Sequence, residues 1–148
     1  MTLYFPDVNV WLALTWEGHI HHQSAVAWFE RLAEPFRLVF SRYSQLGLLR
    51  LATNAQVMGD SVLGIEDAFA MYDRLLEDSR IEVSAEPQGI DRLMRGASRP
   101  LARQAATKAI GDLYLIAFAV ALPATMVTFD KAMARTLRLR QSPVSLLS

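Results

Sequence analysis

Short apolar runs alternate along the chain with segments whose apolar residues recur at helical spacing. The short runs predict five strands, which cover residues 2–5, 36–41, 81–84, 124–128 and 144–147. The helical spacing predicts helices that include residues 10–14, 24–33, 43–53 and 66–78. Residues 56–64 are predicted to form a loop, and residues 88–108 two short helices broken near Pro100. This alternation is typical of an α/β sandwich on a mostly parallel sheet.

The longest apolar run, Leu113–Leu122, follows a single carboxylate, Asp112. The run is long enough for about three helical turns, and it is apolar on every side, as in a buried helix. Pro123 ends it, a short strand follows, and Asp130 comes after that strand. We expect Asp112 to begin the helix. If the helix packs antiparallel to the strand, both acids lie at the carboxyl edge of the sheet, where open α/β sheets bind ligands.

The composition fits one domain spanning residues 1–148. Hydrophobic residues make up 52% of the 148 positions, so we expect an extensive core. Cysteine is absent, which excludes a disulfide framework and thiolate metal ligands. No leader is evident, and the apolar run is too short to span a bilayer. The expectation is a soluble, cytoplasmic protein with no membrane partner.

The net charge of zero hides a segregation of charge along the chain. Nine acids but only two arginines lie between residues 60 and 91, whereas residues 92–108 hold five cations and no acid. The global charge therefore gives no nucleic-acid signal, while the local distribution permits one.

Three aspartates occupy equivalent places in the predicted elements. Asp7 follows the first strand, Asp112 begins a helix, and Asp130 follows the fourth strand. Each alone is better explained as a helix N-cap than as a ligand. A right-handed parallel sheet would bring all three to one edge, where their charges repel unless a cation lies among them. Oxygen ligands without cysteine favour Mg²⁺ or Mn²⁺.

The sequence here resembles the PIN-domain nucleases, and in particular VapC-type toxins of toxin–antitoxin pairs. The resemblance rests on four segments, which are Asp7–Val10, Ser44–Arg50, Gly111–Ala117 and Val127–Asp130. It implies a PIN-like three-layer sandwich with about five strands flanked by helices. It also implies a Mg²⁺- or Mn²⁺-dependent endoribonuclease that acts on RNA, is held inactive by a VapB-type antitoxin and forms a homodimer.

By this resemblance Asp7, Asp112 and Asp130 are the metal-binding acids. Asn9 corresponds to a polar support residue, and Thr128 to a hydroxyl that lines the pocket. Many relatives have a glutamate where this chain has Gln45, which we include among the catalytic positions although it carries no charge.

Glu86, which follows the third strand, is a weak candidate to replace the missing acid. An exposed loop glutamate is the alternative interpretation.

Several basic residues are candidates for contact with RNA. The candidate RNA contacts are Arg50, Arg99 and Arg103. Arg99 and Arg103 belong to a series with Arg92 and Arg95 that has helical spacing. A solvated helix face and an antitoxin-docking surface are alternatives for this series.

The remaining singular residues have simpler explanations. His19, His21 and His22 are better explained as a loop and helix cap than as a metal site, and Trp11, Trp16 and Trp28 as core or dimer contacts.

Two other functions stay open. One is a catalytically weakened RNA- or protein-binding module, because Gln45 removes a charge. The other is an aspartyl-nucleophile phosphohydrolase, which Asn9 disfavours because it stands where the second acid of a D-x-D motif would be.

Overall fold

The computed structural model describes residues 1–148, and its five strands form a single sheet in which every pairing is parallel. The strands are β1 (Thr2–Pro6), β2 (Phe36–Phe40), β3 (Ile81–Val83), β4 (Thr125–Thr128) and β5 (Val144–Leu146). Their order across the sheet is β3-β2-β1-β4-β5. The predicted α/β class and the five strands are confirmed, and the sheet is wholly rather than mostly parallel.

Eight helices connect and cover the strands. They are α1 (Val8–Thr15), α2 (His22–Glu30), α3 (Arg42–Ala52), α4 (Ala55–Met58), α5 (Ile65–Leu76), α6 (Ile90–Ser98), α7 (Thr107–Ala121) and α8 (Lys131–Leu139). Two short 3₁₀ turns, Gly59–Ser61 and Arg99–Leu101, follow α4 and α6. No helix combines the length and the hydropathy needed to cross a bilayer.

The alternation of side chains along the strands produces two cores, one on each face of the sheet. Phe36, Leu38 and Phe40 of β2 point into a core shared with α1, α2, α3 and α5. Val39, between them, belongs to the opposite core, where Phe118 of α7 stacks on Phe5 at 4.7 Å between ring centroids. The chain thus forms three layers, with α6, α7 and α8 on the second face.

The chain changes direction at β1, which places the candidate site. From β1 it builds outward through β2 and β3, and later returns to β4 and β5 on the other side. A parallel sheet leaves a crevice at such a switch point, beyond the carboxyl ends of the two diverging strands. Asp7 directly follows β1, and Asp130 lies two residues beyond the end of β4.

The expectation that Asp112 begins a helix is wrong. Helix α7 starts at Thr107, so Asp112 is in its second turn and cannot cap it. The residues from Thr107 to Ile110 contain no proline, so the helix extends backwards through them. Gly111 in the interior lowers the helix propensity but does not end the helix.

Two further expectations need correction. Residues 56–64 are not wholly a loop, because the side chain of Asn54 accepts a hydrogen bond from the backbone N–H of Gln56 and caps the single turn of α4. Residues 88–108 break near Pro100 as predicted, but they hold one short helix rather than two. Helix α6 ends at Ser98, the 3₁₀ turn Arg99–Leu101 follows it, and α7 begins only at Thr107.

Candidate active site

A cavity of about 530 Å³ opens at the carboxyl ends of β1 and β4. Its lining comes from both helical layers and consists of Asp7, Val8, Asn9, Tyr43, Thr107, Lys108, Gly111, Asp112, Leu115, Phe129, Asp130 and Met133. The structure therefore brings together the three aspartates and Asn9 that the sequence singles out. This cavity is the candidate active site, and we call it the catalytic cavity.

Asp7 is both a helix cap and a wall of the cavity. Its Oδ1 accepts a hydrogen bond from Val10 N–H at 3.1 Å and caps α1, while its Oδ2 accepts one from the Thr128 hydroxyl at 2.5 Å. Only 8% of the residue is exposed. Burial raises the pKa of this carboxyl above its usual value, although the hydrogen bonds oppose the shift and the charge of Asp130 adds to it. Asp7 can therefore cap α1 and still be a candidate metal ligand.

Thr128 is fully buried and connects two of the acids. Its hydroxyl donates to Asp7 and accepts a hydrogen bond from Asp130 N–H at 2.9 Å. It is not part of the cavity lining, contrary to the expectation that its hydroxyl lines the pocket. Its contacts instead orient the carboxylate of Asp7 against the turn that carries Asp130.

Asp130 caps α8 in the same way that Asp7 caps α1. Its Oδ1 accepts hydrogen bonds from Ala132 N–H at 2.8 Å and Met133 N–H at 3.1 Å. This capping fixes the carboxylate at the positive end of the α8 dipole, at the wall of the cavity. The negative charge of Asp130 raises the pKa of both Asp7 and Asp112, so Asp130 interacts electrostatically with each of them.

Asp112 reaches the cavity from the opposite helical layer. Burial raises the pKa of its carboxyl, the charge of Asp130 raises it further, and Lys108 lowers it. Lys108 precedes Asp112 by four residues on α7, so both side chains lie on one helix face. Sequence analysis missed Lys108 as a site residue because the helix was expected to start after it. The four-residue spacing was the available signal.

The lining fits a hard divalent cation. Carboxylate and amide oxygens are the ligands that Mg²⁺ and Mn²⁺ prefer, and a cation would relieve both the burial and the repulsion of these acids. No group of three or more histidine, cysteine, aspartate or glutamate side chains is placed so that it could hold a metal ion. The three aspartates thus share one cavity without forming a closed ligand cluster, and an ion bound there would need further oxygen ligands such as water, which Mg²⁺ commonly keeps.

Gln45 and Glu86 lie outside the cavity lining. The buried Gln45 accepts a hydrogen bond through Oε1 from the Arg42 guanidinium. Glu86 accepts one from the Tyr114 hydroxyl at 2.9 Å, and burial together with this bond raises the pKa of Tyr114 to about 12. The suggestion that Glu86 replaces a missing acid gains no support from this placement.

The three candidate RNA contacts differ in position. Arg50 lines a second cavity of about 430 Å³ beside α3, together with Val8, Tyr43, Leu46, Gly47, Leu51 and Asn54. We call this the α3 groove. It shares the lining residues Val8 and Tyr43 with the catalytic cavity, so the two cavities are adjacent. Arg99 and Arg103 line neither cavity, and Arg95 pairs with Asp91 at 2.8 Å.

The histidines and tryptophans largely follow their simpler interpretations. His21 stands at the start of α2 without a side-chain cap bond and stacks on Phe129 at 4.4 Å between centroids. Trp11 and Trp28 are buried in the core, whereas Trp16 is half-buried at its margin.

Comparisons with known proteins agree with this fold. The family model described as PIN domain matches residues 4–139. The ribonuclease VapC41 of Mycobacterium tuberculosis is 38% identical over 130 residues, which cover 85% of this chain and 88% of that protein. The fold is similar to those of VapBC2 from Rickettsia felis, bound to a promoter DNA fragment, and VapBC-1 from nontypeable Haemophilus influenzae. Both have a TM-score of 0.72 at 17% identity. They cover 99% and 98% of this chain, and 100% and 98% of theirs.

Proposed function

The chain belongs to the PIN-domain family, among the VapC-type ribonuclease toxins of toxin–antitoxin pairs, and from this we propose a Mg²⁺- or Mn²⁺-dependent endoribonuclease. Asp7, Asp112 and Asp130 would hold the metal, with Asn9 as polar support. The observation that carries the proposal is that these acids, drawn from distant parts of the chain, line one open cavity in which burial disfavours the charge of Asp7 and Asp112.

The electrostatics separate this cavity from an ordinary set of helix caps. None of the three acids forms a salt bridge, since the ion pairs of the chain involve only Arg80 and Arg95. Two of the acids have raised pKa values because burial disfavours their charge. A cavity that keeps negative charge under these conditions is suited to a cation and to the phosphate oxygens which that cation attracts.

The roles of the residues follow from their contacts. When bound, the metal supplies Lewis-acid polarisation of a phosphoryl oxygen and a water of lowered pKa. Thr128 orients Asp7, and the caps of α1 and α8 fix the carboxylates of Asp7 and Asp130. Lys108 lies in the lining, where its ammonium can neutralise an incoming phosphate. Attack by water on phosphorus would break the bond to O3′ and leave a 3′-hydroxyl and a 5′-phosphate.

The partners in this proposal are RNA as substrate, a VapB-type antitoxin and a second copy of the chain. The relatives support the antitoxin, because the solved structures that share this fold are named as VapBC pairs. Gln45 does not weaken the proposal, because it lies outside the cavity lining and leaves the three carboxylates in place. An aspartyl-nucleophile mechanism is disfavoured, since Asn9 stands where the second acid of a D-x-D motif would be.

The test is cleavage of mixed single-stranded RNA by the purified chain in Mg²⁺, in Mn²⁺ and in excess EDTA, with the product ends mapped. We expect cleavage with either metal, 5′-phosphate products and no activity in EDTA. Undiminished cleavage in EDTA would exclude the metal role. Binding without cleavage in either metal would favour an RNA-binding module instead.

A further inference from the structure

The α3 groove lies beside the catalytic cavity, and Val8 and Tyr43 line both. Its volume of about 430 Å³ can hold a nucleotide. A chain of RNA whose phosphate occupies the catalytic cavity must leave that cavity in some direction. A further cavity, of about 250 Å³, adjoins the catalytic cavity at Asp112, Asp130 and Met133, but the groove beside α3 is the neighbour whose lining includes an exposed aromatic ring and an arginine.

Tyr43 stands at the junction of the two cavities and is held in place from one side. Its hydroxyl lies against the backbone of Gly111, so closely that a Cβ at that position would overlap it. Its ring packs against Tyr114 at 5.3 Å between centroids and an interplanar angle of 39°. The residue nevertheless remains 42% exposed. A fixed aromatic ring with an open surface is the element that stacks a nucleobase in single-stranded RNA sites.

The rest of the groove supplies the other chemistry of such sites. Arg50 is exposed and has no carboxylate within salt-bridge distance, so its guanidinium is available to a phosphate. Leu46, which is 52% exposed, adds apolar surface beside the ring. Gly47 allows α1 to approach α3, since a Cβ there would lie 2.6 Å from Val8 Cγ2. The groove thus combines one ring, one cation and an apolar floor.

We propose that the α3 groove is a nucleotide subsite of single-stranded RNA, in which Tyr43 stacks the base next to the scissile bond and Arg50 binds the adjoining phosphate. The proposal rests on the proposed ribonuclease function and adds to it a binding direction and two residues that position substrate. Neither residue contacts the reacting atoms. Both should therefore act mainly on KM rather than on kcat.

The experiment uses a short single-stranded RNA that the wild-type chain cleaves at one mapped bond. Two further copies carry an abasic residue on one or the other side of that bond. Tyr43→Leu removes the ring but keeps an apolar side chain, and Tyr43→Phe keeps the ring. On intact RNA we expect Tyr43→Leu to raise KM about tenfold, since loss of one stacked base commonly has an effect of that order.

The abasic substrates identify the contact. We expect the Tyr43→Leu defect to disappear on the RNA that lacks the stacked base and to persist on the other. Tyr43→Phe should resemble the wild type on all three. Arg50→Gln should raise KM and reduce the salt dependence of binding, whereas Arg31→Gln, an exposed arginine outside both cavities, should do neither.

Failure of this inference is distinguishable from failure of the ribonuclease proposal. If the wild-type chain cleaves no RNA in Mg²⁺ or Mn²⁺, the ribonuclease proposal fails. If it cleaves and the Tyr43→Leu defect is absent, or is equal on all three substrates, the subsite is overturned. If Tyr43→Leu and Arg50→Gln leave cleavage intact and weaken only a protein partner, the groove is a protein-docking surface and the subsite is again overturned.

Discussion

Two cavities of nearly equal size lie at opposite ends of the strands, and they differ in whether their charged side chains are paired. The catalytic cavity, about 530 Å³, lies at the carboxyl ends of β1 and β4. The other, about 550 Å³, lies where β2 and β3 begin and is lined mainly by apolar residues of α2, α5 and these strands. We call it the amino-end cavity. Volume does not distinguish the two, so the difference must lie in their chemistry.

In the amino-end cavity the charges of Arg80 and Asp78 are paired with each other. Arg80 donates to both oxygens of Asp78, at 3.0 and 2.8 Å, and lies 3.6 Å from Glu34. Its guanidinium also covers the ring of Phe29 at 4.8 Å from the centroid. The hydrogen bond from Arg80 lowers the pKa of Asp78, whereas burial raises the pKa of Asp7 at the other end.

This contrast shows which feature marks the candidate active site. A paired carboxylate stabilises the fold modestly and needs no ligand. A buried carboxylate without a cationic partner lowers the stability of the fold unless a ligand neutralises it. The catalytic cavity is therefore recognisable by an excess of negative charge, because three carboxylates face the single ammonium of Lys108. Its acids and those of the amino-end cavity should respond in opposite ways to the same substitution.

The largest expected effect comes from exchanging one carboxylate for an amide in each cavity. Asp7→Asn keeps the cap of α1, because asparagine is also a good N-cap, but removes the charge that would bind the metal. We expect RNA cleavage to fall by more than about 100-fold, beyond what loss of a supporting contact causes. Asp78→Asn should leave cleavage unchanged. Equal activity of the Asp7→Asn variant and the wild type, with both folded, would contradict the assignment.

The next effect concerns the hydroxyl that positions Asp7. Thr128→Val preserves shape and burial but leaves the Asp7 carboxylate without its donor and Asp130 N–H without its acceptor. We expect cleavage to fall about 10- to 100-fold, with weaker activation by Mg²⁺, as for other supporting contacts. Thr128→Ser, which restores the hydroxyl, should recover most of the activity. Circular dichroism of all variants serves as the folding control.

A smaller effect is expected from the single cation of the cavity lining. Lys108→Met should raise KM about tenfold, because a charge-assisted hydrogen bond contributes roughly the 1.4 kcal/mol that a factor of ten represents. The slope of log affinity against log salt should fall by about 0.7, as for one phosphate contact on a single strand. Lys131→Met, next to Asp130 but outside the lining, is the matched control. An unchanged salt slope for Lys108→Met would remove Lys108 from the RNA path.

The contrast also explains how much of the fold the sequence could predict. The five strands and the layers were predictable because apolar runs such as residues 36–41 and 124–128 have no alternative to burial in the sheet. The start of α7 was not, since Thr107 to Ile110 has no strong signal for or against a helix. The helical turn of α4 was missed because one capping side chain, Asn54, decides it.

For the site, the residue types were more predictable than the contacts. The alternation of strands and helices predicts a parallel sheet, and parallel strands bring Asp7 and Asp130 to one edge, whereas the strand order itself had to come from the structure. The exclusion of Gln45 and Glu86 depends on two particular hydrogen bonds, with Arg42 and Tyr114, which no periodicity encodes. Lys108 was missed only because its register with Asp112 depends on where α7 begins.

The smallest effect should appear in stability rather than in activity. Because burial raises the pKa of Asp7, the folded chain disfavours its ionised form. The stability associated with the protonated carboxyl is fully present below the pKa that an aspartate has in the unfolded chain, and it is lost as the pH rises through the raised pKa of the folded state. At neutral pH and without metal, the wild type therefore lacks this stabilisation, whereas Asp7→Asn has no charge to bury.

We accordingly expect Asp7→Asn to melt a few degrees higher than the wild type in EDTA at neutral pH, about the shift that 1 kcal/mol produces in a chain of this length. The difference should shrink as the pH falls and the wild-type carboxyl takes up its proton. Mg²⁺ should raise the melting temperature of the wild type more than that of the variant, because only the wild type keeps all three carboxylates. Melting curves across pH, with and without Mg²⁺, measure all of this. A lower melting temperature for Asp7→Asn in EDTA would mean that the hydrogen bonds from Thr128 and Val10 outweigh the cost of burying the Asp7 carboxylate. The charge of Asp7 would then not destabilise the fold, and a cation would have no such cost to relieve.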